Sequence, residues 1–181
     1  MEDLVPHTAE VQQQHAERQR SPEFLAWLAA SDSDLDRLVR DDVPALARLD
    51  DPWTVDGLRA IEHAVLDYFP NPRLDPNPEQ RNQIDRLARG IGHVYTVTLE
   101  GFWVWAEPTP IPGKEAHYGP VVELPSAPVW VDPEGLLAHA ADKRSGELIQ
   151  TAYGHAMDNH LEWVAAGRPS HDAWLKIRAG L

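Results

Sequence analysis

Residues 101–107 read GFWVWAE, and the fold turns on that stretch. Along a strand, alternate side chains leave opposite faces. Phe102, Val104 and Ala106 therefore point one way, and Trp103 and Trp105 point the other. A strand apolar on both faces is either buried between two layers or shows an aromatic face to a partner. The chain around it favours cover. Helices are expected to close one face fully, with the tryptophans under a partial lid whose rim stays open near residues 107–118.

Two more short apolar runs follow, GPVVELP (119–125) and APVWV (127–131). Proline and glycine separate them, which is strand-and-turn chemistry. PTPIPGKEAHYG (108–119) reads as an exposed hairpin connection. The expectation is a three-stranded antiparallel meander with Trp103, Trp105 and Trp130 on one side.

Outward from the strands the period changes to helical. Ser21-Pro22-Glu23 reads as an N-cap, an N1 proline and a first-turn acid, opening PEFLAWLAA. A short helix follows Asp32 or Ser33 through LDRLVR, and Pro44 restarts the chain for ALARL. Thr54 is expected to cap VDGLRAIEHAVLDYF, whose Val55, Leu58, Ile61, Val65, Leu66 and Phe69 share one stripe. PNPRLDPNP (70–78) cannot be helical and marks a sub-boundary near 70–77. Asn77 and Gln80 form a capping box for a helix that runs to about Leu99, with a weak point near Gly90–Gly92. Asp132-Pro133 starts another helix, Ser145-Gly146-Glu147 interrupts it, and a long helix covers roughly 147–166. Ser170 caps HDAWLKIRA. Segregated helices and strands of this kind predict an α+β fold. The expected organisation is one domain over 21–181, with residues 1–20 a frayed helix or mobile tail.

At 181 residues the chain can bury one good core. It has no cysteine, which excludes disulfides, thiolate metal sites and cysteine catalysis. The first 20 residues have no apolar run like that of an export signal, and no stretch approaches a membrane span. A cytoplasmic location is expected. The net charge of −13 repels nucleic-acid backbones and anionic lipid. It attracts a basic protein. Glycine-rich phosphate loops, HExxH and GxSxG are absent, which disfavours ordinary nucleotide-binding enzymes and serine hydrolases. No cofactor and no metal is expected.

Three constellations remain. SDSDLDRLVRDDVPALARLDD (31–51) carries seven aspartates against three arginines. It reads either as caps and a solvated face or as a docking patch for a basic partner such as a nuclease, through Asp32, Asp34, Asp36, Asp41 and Asp42. Glu115 and His117 on the hairpin connection, with Trp103, Trp105 and Trp130, would add contacts. The third constellation is polar residues inside apolar stripes. Glu62 lies between Leu58 and Val65, and His160 lies in the middle of the stripe of the 147–166 helix. A carboxylate is rarely buried unless paired, so the two could meet as an acid–base pair in a cleft. His155, Asp158 and Glu162 share the opposite face, with spacing that a metal triad could use but that a solvated helix face explains more simply. His93 falls opposite the stripe of its helix and should be solvated.

RLARGIGHVYTVTLEGFWVWAE, then YGPVVELP, then VDPEGLLAHA, resemble a pattern in small acidic proteins of high-GC bacteria. It covers about residues 85–142. Some neighbours of such proteins resemble immunity proteins of secreted toxin systems. The resemblance implies a non-catalytic inhibitor and carries no site residues with it. The leading expectation is therefore a protein-binding module for a basic toxin. The competing one is an enzyme or small-ligand binder around Glu62 and His160. Self-association and a subunit role in a larger assembly stay open.

Overall fold

The computed structural model describes residues 9–69, 77–106 and 119–180. In chain order these form α1 (Ala9–Arg18), α2 (Pro22–Ala29), α3 (Ser31–Arg37), a π-turn at Leu38–Asp42 and a 3-10 turn at Leu46–Arg48. Then come α4 (Val55–Tyr68), α5 (Pro78–Thr98), β1 (Phe102–Ala106), β2 (Gly119–Glu123), α6 (Pro133–Lys143), α7 (Leu148–Ala165) and α8 (His171–Arg178). Among the described residues no helix is long and apolar enough to cross a membrane.

Local chemistry sets most helix starts. Ser21, Asp132 and Ser170 each accept a hydrogen bond from a backbone N–H in the first turn of α2, α6 and α8. Asn77 and Gln80 close a reciprocal capping box on α5. Thr54 stands at the N-cap of α4, but its side chain does not make the expected capping bond, because its hydroxyl donates to the Asp51 carbonyl instead.

The 21-residue α5 is the central element; α3, α4, α6 and both strands pack on it. Its glycines do not fray it. They let neighbours approach. A Cβ at Gly92 would lie 2.0 Å from the Trp103 ring, and one at Gly90 would lie 2.4 Å from Leu38. One continuous core joins Leu38, Leu46, Leu58, Ile61, Leu87, Ile91, Val122, Leu137 and Ile149. It contains residues from both sides of the 70–77 segment, of which residues 70–76 lie outside the described residues.

The expected three-stranded meander is not formed. The sheet has two antiparallel strands, in a register that places Trp103 opposite Val122 and Val104 opposite Val121. APVWV contributes a single bridge, Val131 to Val122, with both hydrogen bonds at 2.9 Å. The cause is in the sequence. The chain turns at Pro125 and Ser126, and Pro128 has no N–H to give a ladder. Asp132 already caps α6, which leaves Val131 alone to pair. The fold is thus a helix-dominated α+β with a two-stranded ribbon.

The bridge also fixes how the ribbon faces. Val122 turns its N–H and C=O away from β1, toward Val131. By the alternation of an antiparallel ladder, Trp105 turns its own pair outward on the opposite edge. The Gln19 side-chain amide meets that pair. Its Oε1 accepts from Trp105 N–H at 2.8 Å and its Nε2 donates to Trp105 C=O at 3.0 Å. The expected tail is therefore helical from Ala9 and ends on a residue tied to the sheet.

Two helix ends cap one another across the chain. Glu62 of α4 accepts from Leu148 N–H and Ile149 N–H, both at 2.9 Å, at the start of α7. Arg144, just before α7, donates to the carbonyls of Leu66 and Phe69 at the end of α4, at 2.9 and 2.8 Å. These are the backbone groups that a helix cannot satisfy internally.

Candidate functional site

Start with the acidic segment. α3 is short, so its aspartates at alternate positions divide between faces. Asp34 turns inward, 3.4 Å from the Arg89 guanidinium of α5. Asp42, at the end of the π-turn, is buried; it accepts two bonds from Arg86, the Nη2 one at 3.0 Å. Both were expected on the docking patch, and both are instead spent on the fold. Desolvated carboxylates need a partner, and α5 supplies the cations. Asp32, Asp36 and Asp41 remain exposed. Asp41 shares its charge with Arg40, whose guanidinium holds the carboxyl below its ordinary range. The patch is thus thinner than the aspartate count suggests, with Asp32 and Asp36 one helical turn apart at its centre.

Arg89 is the hub behind that patch. It is 3 % exposed, bonds Asp85 at 2.8 Å, the Trp27 carbonyl at 2.7 Å and Ser31 Oγ at 3.0 Å, and lies 3.6 Å over the Trp27 ring. The Trp27 indole N–H donates to the other Asp85 oxygen at 2.8 Å. One guanidinium therefore locks α2 and α3 onto α5. The sequence reading missed it; the Asp85/Arg89 spacing of four residues was the available signal.

The tryptophans separate. Trp103 and Trp105 lie under α2 and α5, where Trp103 meets Trp27 edge-on at 4.9 Å and Trp105 meets Phe24 edge-on at 5.8 Å. Both are half-buried. The face expected to be fully closed is the more open one at its start, since Phe102 is 51 % exposed, while Val104, Ala106 and Val121 form a small cluster there. Trp130 does not join the other two, because the third strand that would have carried it is not built. Glu115 and His117 lie outside the described residues, as does the rim 107–118.

Glu62 and His160 do not meet. Glu62 is fully buried at the first turn of α7, and His160 lies eleven residues beyond Ile149, roughly 17 Å along the helix. His160 Nε2 instead sits 3.8 Å from Glu100, which Arg168 pairs with and holds below the ordinary carboxylate range. His160 Nδ1 is buried with no partner among the described residues. The acid–base reading of this pair has no geometric basis. His155, Asp158 and Glu162 are exposed, and no group of three or more metal-ligating side chains comes together among the described residues. His93 is half-buried, with Trp53 edge-on at 4.7 Å, and burial pushes its imidazole below the ordinary value.

A cleft of about 310 Å³ opens where α5, the 130–132 turn, α6 and α7 meet. Trp130 is one wall, Tyr95 is part of the lining, Ala152, Ala156 and Gly135 leave the space, and Asp132 and His139 complete the rim. Of these, Trp130 is the residue the sequence singles out as a contact; Tyr95 and His139 carry no sequence signal for a surface site.

No family model matches the chain, and no curated protein or solved structure aligns with it significantly.

Proposed function

We propose that this chain is a non-catalytic protein-binding module for a basic partner, of the kind an immunity protein offers to a cationic toxin. The observation that carries the reading is the division of charge at α3. Arg86 and Arg89 satisfy Asp42 and Asp34 from within. Asp32 and Asp36 are left to solvent on a chain whose net charge is −13. Exposed carboxylates on a rigidly held helix steer a cationic surface and fix its register. The same charge works against nucleic acid and anionic lipid. A cytoplasmic setting, where such a partner would be met before release, belongs to the same proposal.

The test is association kinetics with the protein captured from the native host. The expected partner is basic. Its association rate falls about tenfold or more between roughly 0.05 and 0.5 M salt. Asp32→Lys with Asp36→Lys slows association further, with little change in dissociation. If the captured partner is acidic, or if neither salt nor the double charge reversal alters the rate, the proposal is wrong. Suppression of a captured enzyme's toxicity on co-expression would support the immunity-type role specifically, and lack of protection would reject that finer part.

A further inference from the structure

The cleft beside α6 carries an inference independent of the acidic face. Seven tryptophans are present in the chain. Trp27, Trp53, Trp103, Trp105, Trp163 and Trp174 each make a ring contact, an indole hydrogen bond or a cation stack within the fold. Trp130 makes none among the described residues, and it is 42 % exposed on the cleft wall. An indole placed on a concave surface without a partner is a stacking surface without an occupant.

A second, separate observation points into the same space. Tyr95 is 1 % exposed and lines the cleft. Its ring stands edge-on to Tyr153 at 5.4 Å, and its side chain reaches the lining of the cleft. Burial raises the Tyr95 phenol above its ordinary value, so it stays protonated and able to donate.

Charge selects the ligand. Among the described residues Asp132 is the one carboxylate on the lining, and no arginine or lysine lines it. Its Oδ1 accepts from Gly135 N–H at 2.9 Å as the cap of α6, which holds the carboxylate in place. A carboxylate beside an open indole face suits a cation with an apolar body. At about 310 Å³ the space matches the low end of small-molecule pockets. We infer that this cleft binds a small arylalkyl ammonium ion, its ring on Trp130, its cation toward Asp132, and a polar atom within reach of the Tyr95 hydroxyl.

Three probes sharing a phenylethyl or benzyl body separate the terms: 2-phenylethylamine, 2-phenylethanol and phenylacetate. Binding is read from the indole N–H resonances of uniformly ¹⁵N-labelled protein, with the Trp130 signal identified by its loss in Trp130→Phe. The amine is expected to shift that signal saturably, with Kd on the order of 1 mM. The alcohol should bind about fivefold more weakly, and the carboxylate should produce no saturable shift. Tyr95→Phe is expected to weaken the alcohol about fivefold, the value of one hydrogen bond. Asp132→Asn keeps the helix cap and should bring the amine down to the alcohol. Ala156→Leu fills the cleft and should abolish binding of all three, with the melting profile showing that the variant folds. The inference is overturned if no probe shifts Trp130, if phenylacetate binds as well as the amine, or if Asp132→Asn leaves their order intact.

Discussion

Glu62 is the clearest case of a single side chain whose role depends on a distant backbone. Two α7 amides aim at its carboxylate. Removing it by Glu62→Ala is expected to cost about 2–3 kcal/mol, measured by urea unfolding, with Glu62→Gln losing less because one acceptor remains. A loss under about 0.5 kcal/mol for Glu62→Ala would refute the capping role. His93 gives a pH-dependent test. Burial holds its imidazole below the ordinary value against the opposing pull of Asp32 and Asp51. As pH falls through about 6.5 the unfolded chain takes up the proton first. The native state therefore loses stability between that value and the lower native one. His93→Gln should flatten the decline in urea midpoint between about pH 7.5 and pH 5.5 relative to the parent, and parallel curves would show that the ring is not desolvated. At this scale the sequence announced that Glu62 was unusual, because a carboxylate stood inside an apolar stripe. It could not announce the partner, since a helix's first amides carry no side-chain signature. Asp34 and Asp42 misled for the opposite reason: a run of aspartates looks solvated until the arginines that reach it from α5 are in view.

Between elements, spacing is decided by what is missing from a side chain. Gly→Ala inside a helix ordinarily gains about 0.5–1 kcal/mol. Gly92→Ala is expected to lower stability by about 1–2 kcal/mol instead, because its methyl would enter the Trp103 ring. A higher melting temperature for this variant would mean that α5 and β1 are less closely packed than described. The junction of α1 with β1 rests on Gln19. Gln19→Ala should speed hydrogen exchange at the Trp105 amide by about tenfold, leaving the Val122 amide, bonded to Val131, unchanged. Equal protection at Trp105 in both proteins would discount the tie. Helix starts were the most legible elements, since Ser21, Asn77 with Gln80, Asp132 and Ser170 act within their own turn. The third strand was the least so. Alternation in APVWV is a two-residue-period pattern like any other, but a proline and an adjacent helix cap leave too few amides to pair. On α7, Leu161 is exposed at 57 %, whereas Trp163 is buried, its indole donating to the Pro169 carbonyl at 2.9 Å.

For the molecule as a whole, net charge and topology answer different questions. The charge of −13 follows from the sequence, but which carboxylates meet solvent depends on Arg86 and Arg89 of α5. The binding surface was therefore visible as a total and invisible as a map. The cleft was less visible still, since Tyr95, Trp130, Asp132 and Ala156 come from separate segments and converge only after α5, α6 and α7 have packed. The reciprocal caps of α4 and α7 have a consequence for how the polypeptide can be divided. Cleavage anywhere within 107–118 would put Glu62 on one peptide and the α7 start on the other, and Arg144 apart from the carbonyls it closes. Neither piece should hold its helices alone. Mixed at equal molarity, the two should reassemble with a rise in circular dichroism at 222 nm, and a Glu62→Ala upper piece should fail to rescue the lower one.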